Sequence, residues 1–326
     1  MSIQKIARLA GVSVATVSRV LNYSETVKDK NREKVLQAVK ESNYQPNLLA
    51  RQLRTARSSM ILVLVSDISN SFCAELVKGI EEQAEQKGYR ILLCNSGYDI
   101  ARSRSSLQLL AGKMVDGIIT MDAFSKLPEL TQLIGETPWV QCAEHADSGH
   151  ISCVGISDID ASRHLVRYLV GNGRQRIALI NHDLSYKYAK LRQQGYQQEL
   201  DEQHRHWQSI VYASELSFQA GKKAMSELLQ GEDKPDAVFA VSDTLAAGAM
   251  SAIEQAGLRV PQDIAVAGFD GTELAEMVSP QLTTIAQPSR QIGKTAFDLL
   301  LAKIDNPASP VEQVMMDWQL VERAST

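Results

Sequence analysis

The chain has 326 residues, 44% of them hydrophobic and 22% charged, with a formal net charge of −4. That length suits two or three domains rather than one, and no apolar run reaches the roughly 18–20 residues of a membrane span. The opening MSIQKIARLAG lacks the charged-then-apolar pattern of a secretory signal, so a cytoplasmic protein with no membrane partner is expected.

Charge is unevenly placed. Residues 1–57 carry a net +7 and the rest of the chain a net −11. A basic front on an acidic body points to a polyanion met by the front alone. The four cysteines, Cys73, Cys94, Cys142 and Cys153, show no metal-ligand spacing and read as buried free thiols, so no metal and no cofactor are expected.

In IQKIARLAG, Ile3, Ile6, Ala7 and Ala10 share one helical face, and Gly11 ends the helix. Ser13 is placed to cap a second helix, VATVSRVLN, which turns Val17, Val20 and Leu21 inward. A third, DKNREKVLQAVKESNY, buries Val35, Ala38 and Val39. Two short helices about a Gly-containing turn, the second polar outside, follow the helix-turn-helix pattern. The local charge favours DNA binding over a plain three-helix bundle. Pro46 then blocks continuation, and PNLLARQLRTARSS sets Leu49 and Leu53 on one face beside Arg51, Arg54 and Arg57. That stretch reads either as a solvated linker or as a short helix that orders on DNA.

From Met60 onward strands and helices alternate. Strand-like runs are MILVLV (60–65), RILLC (90–94), GIITM (117–121) and WVQC (139–142), then IALIN (177–181), SIVY (209–212), AVFAV (237–241) and IAVAGF (264–269). Their spacing is that of βαβ units, and two successive series imply two parallel-sheet subdomains with a cleft between them. Ligands in such folds bind at the carboxyl ends of the strands.

IARLAGVSVATVSRVLN, then YQPN, then ARQL resembles the headpiece and hinge of the lactose/galactose repressor family, with the cytidine repressor as a near relative within it. The body continues the match with LVSDISNSFCAELVKGIE, DGIIT, LRQQGY, VFAVSDTLAAGAMSAIEQAGLRVPQDIAVAGFD and LTTIAQP, in order along nearly the whole chain. The resemblance implies an α/β fold. A three-helix helix-turn-helix headpiece (1–46) and a hinge helix (47–58) precede a two-subdomain, parallel-sheet core like the type I periplasmic binding proteins (59–326). One subdomain would hold about 59–157 and 289–316, the other about 158–288 and 317–326. The implied function is a transcription repressor that binds double-stranded, palindromic operator DNA as a homodimer. A small sugar or nucleoside effector in the cleft would switch it.

On the second helix, Arg19 suits a bidentate pair with a guanine edge, while Ser13, Thr16, Ser18 and Asn22 suit phosphate contacts that fix register. The family varies its base preference through the positions of Val14 and Ala15, whose apolar side chains favour a thymine methyl. The resemblance extends DNA contact to Asn47, to Ala50 on the groove floor and to Leu53 as a minor-groove wedge. In the body, Arg192 offers a rigid fork of donors for hydroxyls, a carbonyl or a phosphate, and Asp270, at a strand's carboxyl end, accepts hydrogen bonds from neighbouring hydroxyls. Phe72 supplies an apolar wall with Asp67 and Asn70 nearby, and Glu144 follows WVQC. Ser242 and Gln287 are expected to line the cleft by family position alone. Asp243 reads equally as a helix N-cap or a ligand group. Leu216 stands where an aromatic is common, with Phe218 two residues on.

Two other classes fit less well. A solute-binding protein would share the cleft but not the basic front. An enzyme is not expected, because the chain carries no nucleophile elbow, no P-loop and no histidine–carboxylate cluster.

Overall fold

The computed structural model describes residues 2–22, 27–42, 57–97, 99–121, 127–143 and 149–326. Asn47, Ala50, Leu53 and Glu144, and most of the expected hinge helix, lie outside the described residues, as does the side chain of Asn22. Contacts divide the chain into two compact units, Met1–Ser58 and Ser59–Thr326.

The first unit holds α1 (Ile3–Ala10), α2 (Val14–Asn22) and α3 (Asp29–Ser42). Gly11 closes α1 in the left-handed region, at φ 63°, where a residue without a Cβ meets no strain. Ser13 caps α2, its Oγ accepting the Thr16 backbone N–H at 3.1 Å. Ile6, Ala7, Ala10, Val17, Val20, Val35 and Ala38 form the buried core, one stripe from each helix.

The second unit contains two six-stranded sheets. The first gathers β1 (Met60–Val65), β2 (Arg90–Asn95), β3 (Gly117–Thr120), β4 (Trp139–Cys142), β5 (Ser152–Gly155) and β11 (Gln313–Met315) in the order β11-β5-β4-β3-β1-β2. The second gathers β6 (Ile177–Asn181), β7 (Ser209–Tyr212), β8 (Ala237–Ala240), β9 (Ala265–Asp270), β10 (Thr283–Ala286) and β12 (Gln319–Val321) in the order β12-β10-β9-β8-β6-β7. The two windings repeat each other, and only β12 runs antiparallel, against β10. Central strands are apolar along their whole length because helices cover both faces; Ile61 to Val65 of β1 have no exposed surface. Ile61 pairs with Ile91 on one side and Gly117 on the other.

The connecting helices are α4 (Ser71–Gln86), α5 (Ile100–Ala111), α6 (Leu127–Ile134), α7 (Asp158–Gly171), α8 (Lys187–Glu202), α9 (Phe218–Gln230), α10 (Asp243–Gln255), α11 (Leu274–Met277) and α12 (Ser289–Asp305). The chain crosses between the sheets after β5, after β10 and after β11. Four strands, β5, β10, β11 and β12, are additional to the eight runs read from the sequence. Cys73, Cys142 and Cys153 are buried and Cys94 half-buried, all as free thiols.

Candidate functional site

Two surfaces carry the chemistry, one in each unit. In the first, α2 buries Val17 and Val20, which turns the opposite face outward. Ser13, Val14, Ala15 and Arg19 are exposed there, with Thr16 and Ser18 half-buried beside them. The Ser13 hydroxyl is already committed to the cap and to the Thr16 hydroxyl at 2.9 Å, so it stiffens the start of the helix. The exposed side chains are therefore small or apolar at the N-terminal end, with one long cation a turn later. Such a face admits the close approach a major groove requires.

The second surface is a cavity between the two sheets of the core. Ser66, Asn70, Phe72, Cys73, Leu76, Met121 and Ala143 line it from one side, and Tyr186, Tyr188, Arg192, Leu216, Asp270 and Gln287 from the other. Ser66, Met121 and Ala143 directly follow β1, β3 and β4, and Asp270 ends β9. The cavity thus sits at the carboxyl ends of the strands, where loops from both sheets converge.

Its polar floor is a chain of bonds. Arg192 donates through Nε to Asp158 Oδ1 at 2.8 Å, through Nη1 to the Val241 carbonyl at 2.6 Å, and more weakly to Asp270 Oδ1 at 3.5 Å. Gln287 Nε2 donates to the same Asp270 oxygen at 2.9 Å. The guanidinium lies 3.6 Å from the centre of the Phe269 ring and 5.1 Å from that of Tyr188, held between two aromatic faces. Burial by itself disfavours its charge, but Asp158 and Asp270 outweigh that and raise its pKa further. Burial pushes the Asp270 carboxyl well above the ordinary range, against the pull of Arg192 and with the nearby Asp243 adding to the rise. Asp270 also adopts φ 108°, rare for a residue with a Cβ.

Above this floor stand aromatic walls. His182 stacks on Tyr186 with ring centres 4.7 Å apart, and its Nδ1 is hydrogen-bonded to the Tyr188 hydroxyl at 2.5 Å. Burial lowers the His182 pKa, so a neutral ring is favoured. Phe72 and Leu216 face the same space.

Of the expected cleft residues, Asn70, Phe72, Arg192, Asp270 and Gln287 come together around the cavity. Asn70 also caps α4, its Oδ1 accepting the Phe72 backbone N–H at 2.9 Å. Asp67 and Ser242 are not among the lining residues. Asp67 closes its own turn, accepting the Ser69 backbone N–H at 2.9 Å and the Ser69 hydroxyl at 2.7 Å. Ser242 is buried as the N-cap of α10, its hydroxyl accepting the Leu245 N–H at 3.2 Å. That also corrects the capping role read for Asp243, which opens the helix one residue later and anchors Thr272 and Thr284 instead. Leu216 lines the cavity, while Phe218 begins α9 on the surface, 40% exposed.

Sequence reasoning missed Tyr186, Tyr188 and Asp158. Tyr188 carried a readable signal, since it precedes Arg192 by one helical turn and so faces the same way, whereas Tyr186 precedes the helix and carried none. Asp158 lies 34 residues from its partner and carried none.

Comparison with known proteins identifies the relatives of this chain. Residues 2–47 match the family model described as bacterial regulatory proteins, lacI family, and residues 166–326 match a periplasmic binding protein-like domain. The chain is 36% identical to the HTH-type transcriptional repressor PurR of Vibrio vulnificus, covering 99% of this chain and 97% of that one. It is 34% identical to the ribose operon repressor of Haemophilus influenzae, covering 99% and 98%. Among solved structures, the lac repressor dimer bound to operator and the anti-inducer ONPF superposes with a TM-score of 0.91 at 30% identity, covering 100% of this chain and 98% of that one. With curated relatives at that identity aligned along almost their whole length, the chain belongs to the lacI family of bacterial regulatory proteins and is a DNA-binding transcriptional repressor rather than an enzyme.

Proposed function

We propose that this repressor acts in the cytoplasm as a homodimer on a palindromic operator and is switched by a small sugar or nucleoside held in the core cavity. Residues 1–46 serve as the reading headpiece, 47–58 as the hinge and 59–326 as the sensing and dimerising core. On DNA, Arg19 pairs with a guanine edge, and Val14 and Ala15 meet thymine methyl groups. Ser13, Thr16, Ser18, Asn22 and Asn47 hold the backbone, and Leu53, beside Ala50, wedges the minor groove. One helix in one groove is a small footprint, so a two-fold dimer on two half-sites is the economical reader.

The observation that carries the effector reading is the pairing of Arg192 and Asp270 at the cavity floor, beneath Phe72, Tyr186 and Tyr188. A carboxylate accepts hydrogen bonds from adjacent hydroxyls, a guanidinium donates to a ring or carbonyl oxygen, and aromatic faces pack on the apolar face of a sugar or a base. Asn70 and Gln287 add amide groups on opposite sides. The ligand switches DNA binding only by favouring one arrangement of the two subdomains over the other.

The test has two arms. Selection of random duplexes by the full chain should enrich a palindrome, and a monomeric, non-palindromic site would overturn the dimer reading. Calorimetry against sugars and nucleosides should find a ligand that changes operator affinity and whose binding is lost in Arg192→Ala and Asp270→Ala. A ligand whose binding survives both substitutions would overturn the assigned site.

A further inference from the structure

The cavity floor gathers more carboxyl groups near its one cation than a sugar or nucleoside site requires. Arg192 and Asp270 are the one guanidinium and the one carboxyl group among its described lining residues, with Nη1 of one 3.5 Å from Oδ1 of the other. Behind Arg192, outside the lining, Asp158 takes the guanidinium Nε at 2.8 Å. Arg192, Asp158 and Asp270 are each 5% exposed, so water screens the Arg192–Asp158 ion pair poorly. Asp243, 1% exposed, lies close enough to Asp270 to raise its pKa. One buried cation therefore meets two buried carboxyls, and a third lies beside Asp270.

The guanidinium fork is also occupied in geometry. Nε and Nη1 are taken by Asp158 and the Val241 carbonyl, and the two rings of Phe269 and Tyr188 close its faces. Among the described residues, its Nη2 has no protein acceptor and Asp270 Oδ2 no protein donor. What remains open is the Nη2 amino group and one carboxyl oxygen, which suits a hydroxyl or ring oxygen. The bidentate grip on a phosphate or carboxylate needs two parallel donors of the fork.

We propose that Asp158 sets the charge preference of the cavity, so that it takes an uncharged hydroxylated ligand and rejects the same ligand bearing a phosphate or carboxylate. The inference rests on the reading of this cavity as the effector site. Asp158 touches no ligand itself and acts through Arg192, as a positioning residue. It opens α7 immediately after the crossing from β5, with Ser157 as the cap, so its place is fixed by the backbone rather than by a mobile loop.

The experiment uses the full chain and three matched pairs: D-ribose with D-ribose 5-phosphate, D-glucose with D-glucose 6-phosphate, and cytidine with its 5′-monophosphate. Each is titrated by calorimetry into the wild type, Asp158→Asn, Asp158→Ser and the control Asp160→Asn, an exposed carboxyl of the same first turn. The wild type should bind the neutral member of a pair and bind its phosphate ester more weakly. Removing the Asp158 charge should raise affinity for the ester relative to its neutral partner by about tenfold or more. Asp160→Asn should leave that ratio unchanged. A purely structural role for the ion pair would weaken both members together and leave the ratio as it was, which overturns the proposal. A wild type that binds an ester at least as tightly as its neutral partner overturns it without any variant. If no pair binds the wild type but the esters bind Asp158→Asn, charge selection by Asp158 stands and the sugar or nucleoside reading fails. If nothing binds any of the proteins, both fail.

Discussion

Asp243 gives the sharpest test of how the cavity floor is held, because it lies beneath the floor and outside the lining. Its Oδ2 accepts the Thr272 backbone N–H at 2.6 Å and the Thr272 hydroxyl at 2.9 Å, and its Oδ1 accepts the Thr284 hydroxyl at 2.5 Å. These bonds tie α10 to β10 and to the turn that follows Asp270. In Asp243→Ala the fully buried Thr284 hydroxyl loses this acceptor, at a cost of about 1–3 kcal/mol. The two half-buried Thr272 donors add about 0.5–1 kcal/mol each. Against this, burial pushes the Asp243 carboxyl up to about 6, so removing it recovers part of that desolvation. The net expectation is a loss of about 2 kcal/mol from the core, or roughly 4–8 °C in melting temperature for a unit of this size. Trp139, Trp207 and Trp318 all lie in the core unit, so tryptophan fluorescence, excited selectively at the red edge, reports its transition alone. The raised pKa also fixes a sign. The folded state holds the Asp243 proton more tightly than the unfolded chain does, so the penalty on the ionised form is relieved as pH falls. The gap between wild type and variant should widen from pH 7 down towards about 4. A variant that melts within about 1 °C of wild type at both ends of that range, with no widening, would show that the three bonds merely offset the burial of the charge.

Three further outcomes are expected. In Gly248→Ala the new Cβ would stand 2.1 Å from the Phe218 carbonyl oxygen and 2.7 Å from the Lys222 nitrogen. Because both are backbone, α9 must shift, and a loss of about 2–3 kcal/mol should appear in chemical denaturation; wild-type stability would show that the two helices separate freely. Glu199 has no exposed surface, and although burial alone would raise its pKa, bonds from Arg167, Gln203 and Arg163 hold it below the ordinary range. Its contribution is therefore present above the ordinary glutamate pKa and lost as pH falls through the lower folded value. Glu199→Gln should flatten the acid side of the melting profile, and an unchanged slope there would place the acid sensitivity elsewhere. Arg19→Ala should weaken operator binding by about 1–3 kcal/mol in a mobility-shift titration. An equal loss on unrelated DNA would move Arg19 from base reading to backbone contact.

How far the sequence revealed this molecule depends on the distance between partners. The headpiece was legible because its decisions are local: Gly11 ends one helix, Ser13 caps the next, and Val17 and Val20 fall one turn apart. The eight strand runs were legible because burial on both faces leaves continuous apolar segments. β5 and β10 were not, since SCVG and TTIA are short and partly polar. Buried Thr283 donates its backbone N–H to the Ser325 hydroxyl, 42 residues on, at 2.8 Å, and no local pattern announces that. The same rule divides the cavity. Arg192 and Asp270 could be named from motif and strand end, but what each is bonded to could not. At the junction of β8 and α10, Ser242 and Asp243 are both good caps, and sequence preference gives no reason to choose. The choice is made by Gly268, whose lack of a Cβ leaves room for the Asp243 carboxylate; a Cβ there would lie 2.5 Å from Oδ1. With that room, the carboxylate reaches Thr272 and Thr284, and the serine is left to cap the helix. A residue's chemistry was thus readable from its type, but its role was set by where a distant chain segment left space for it.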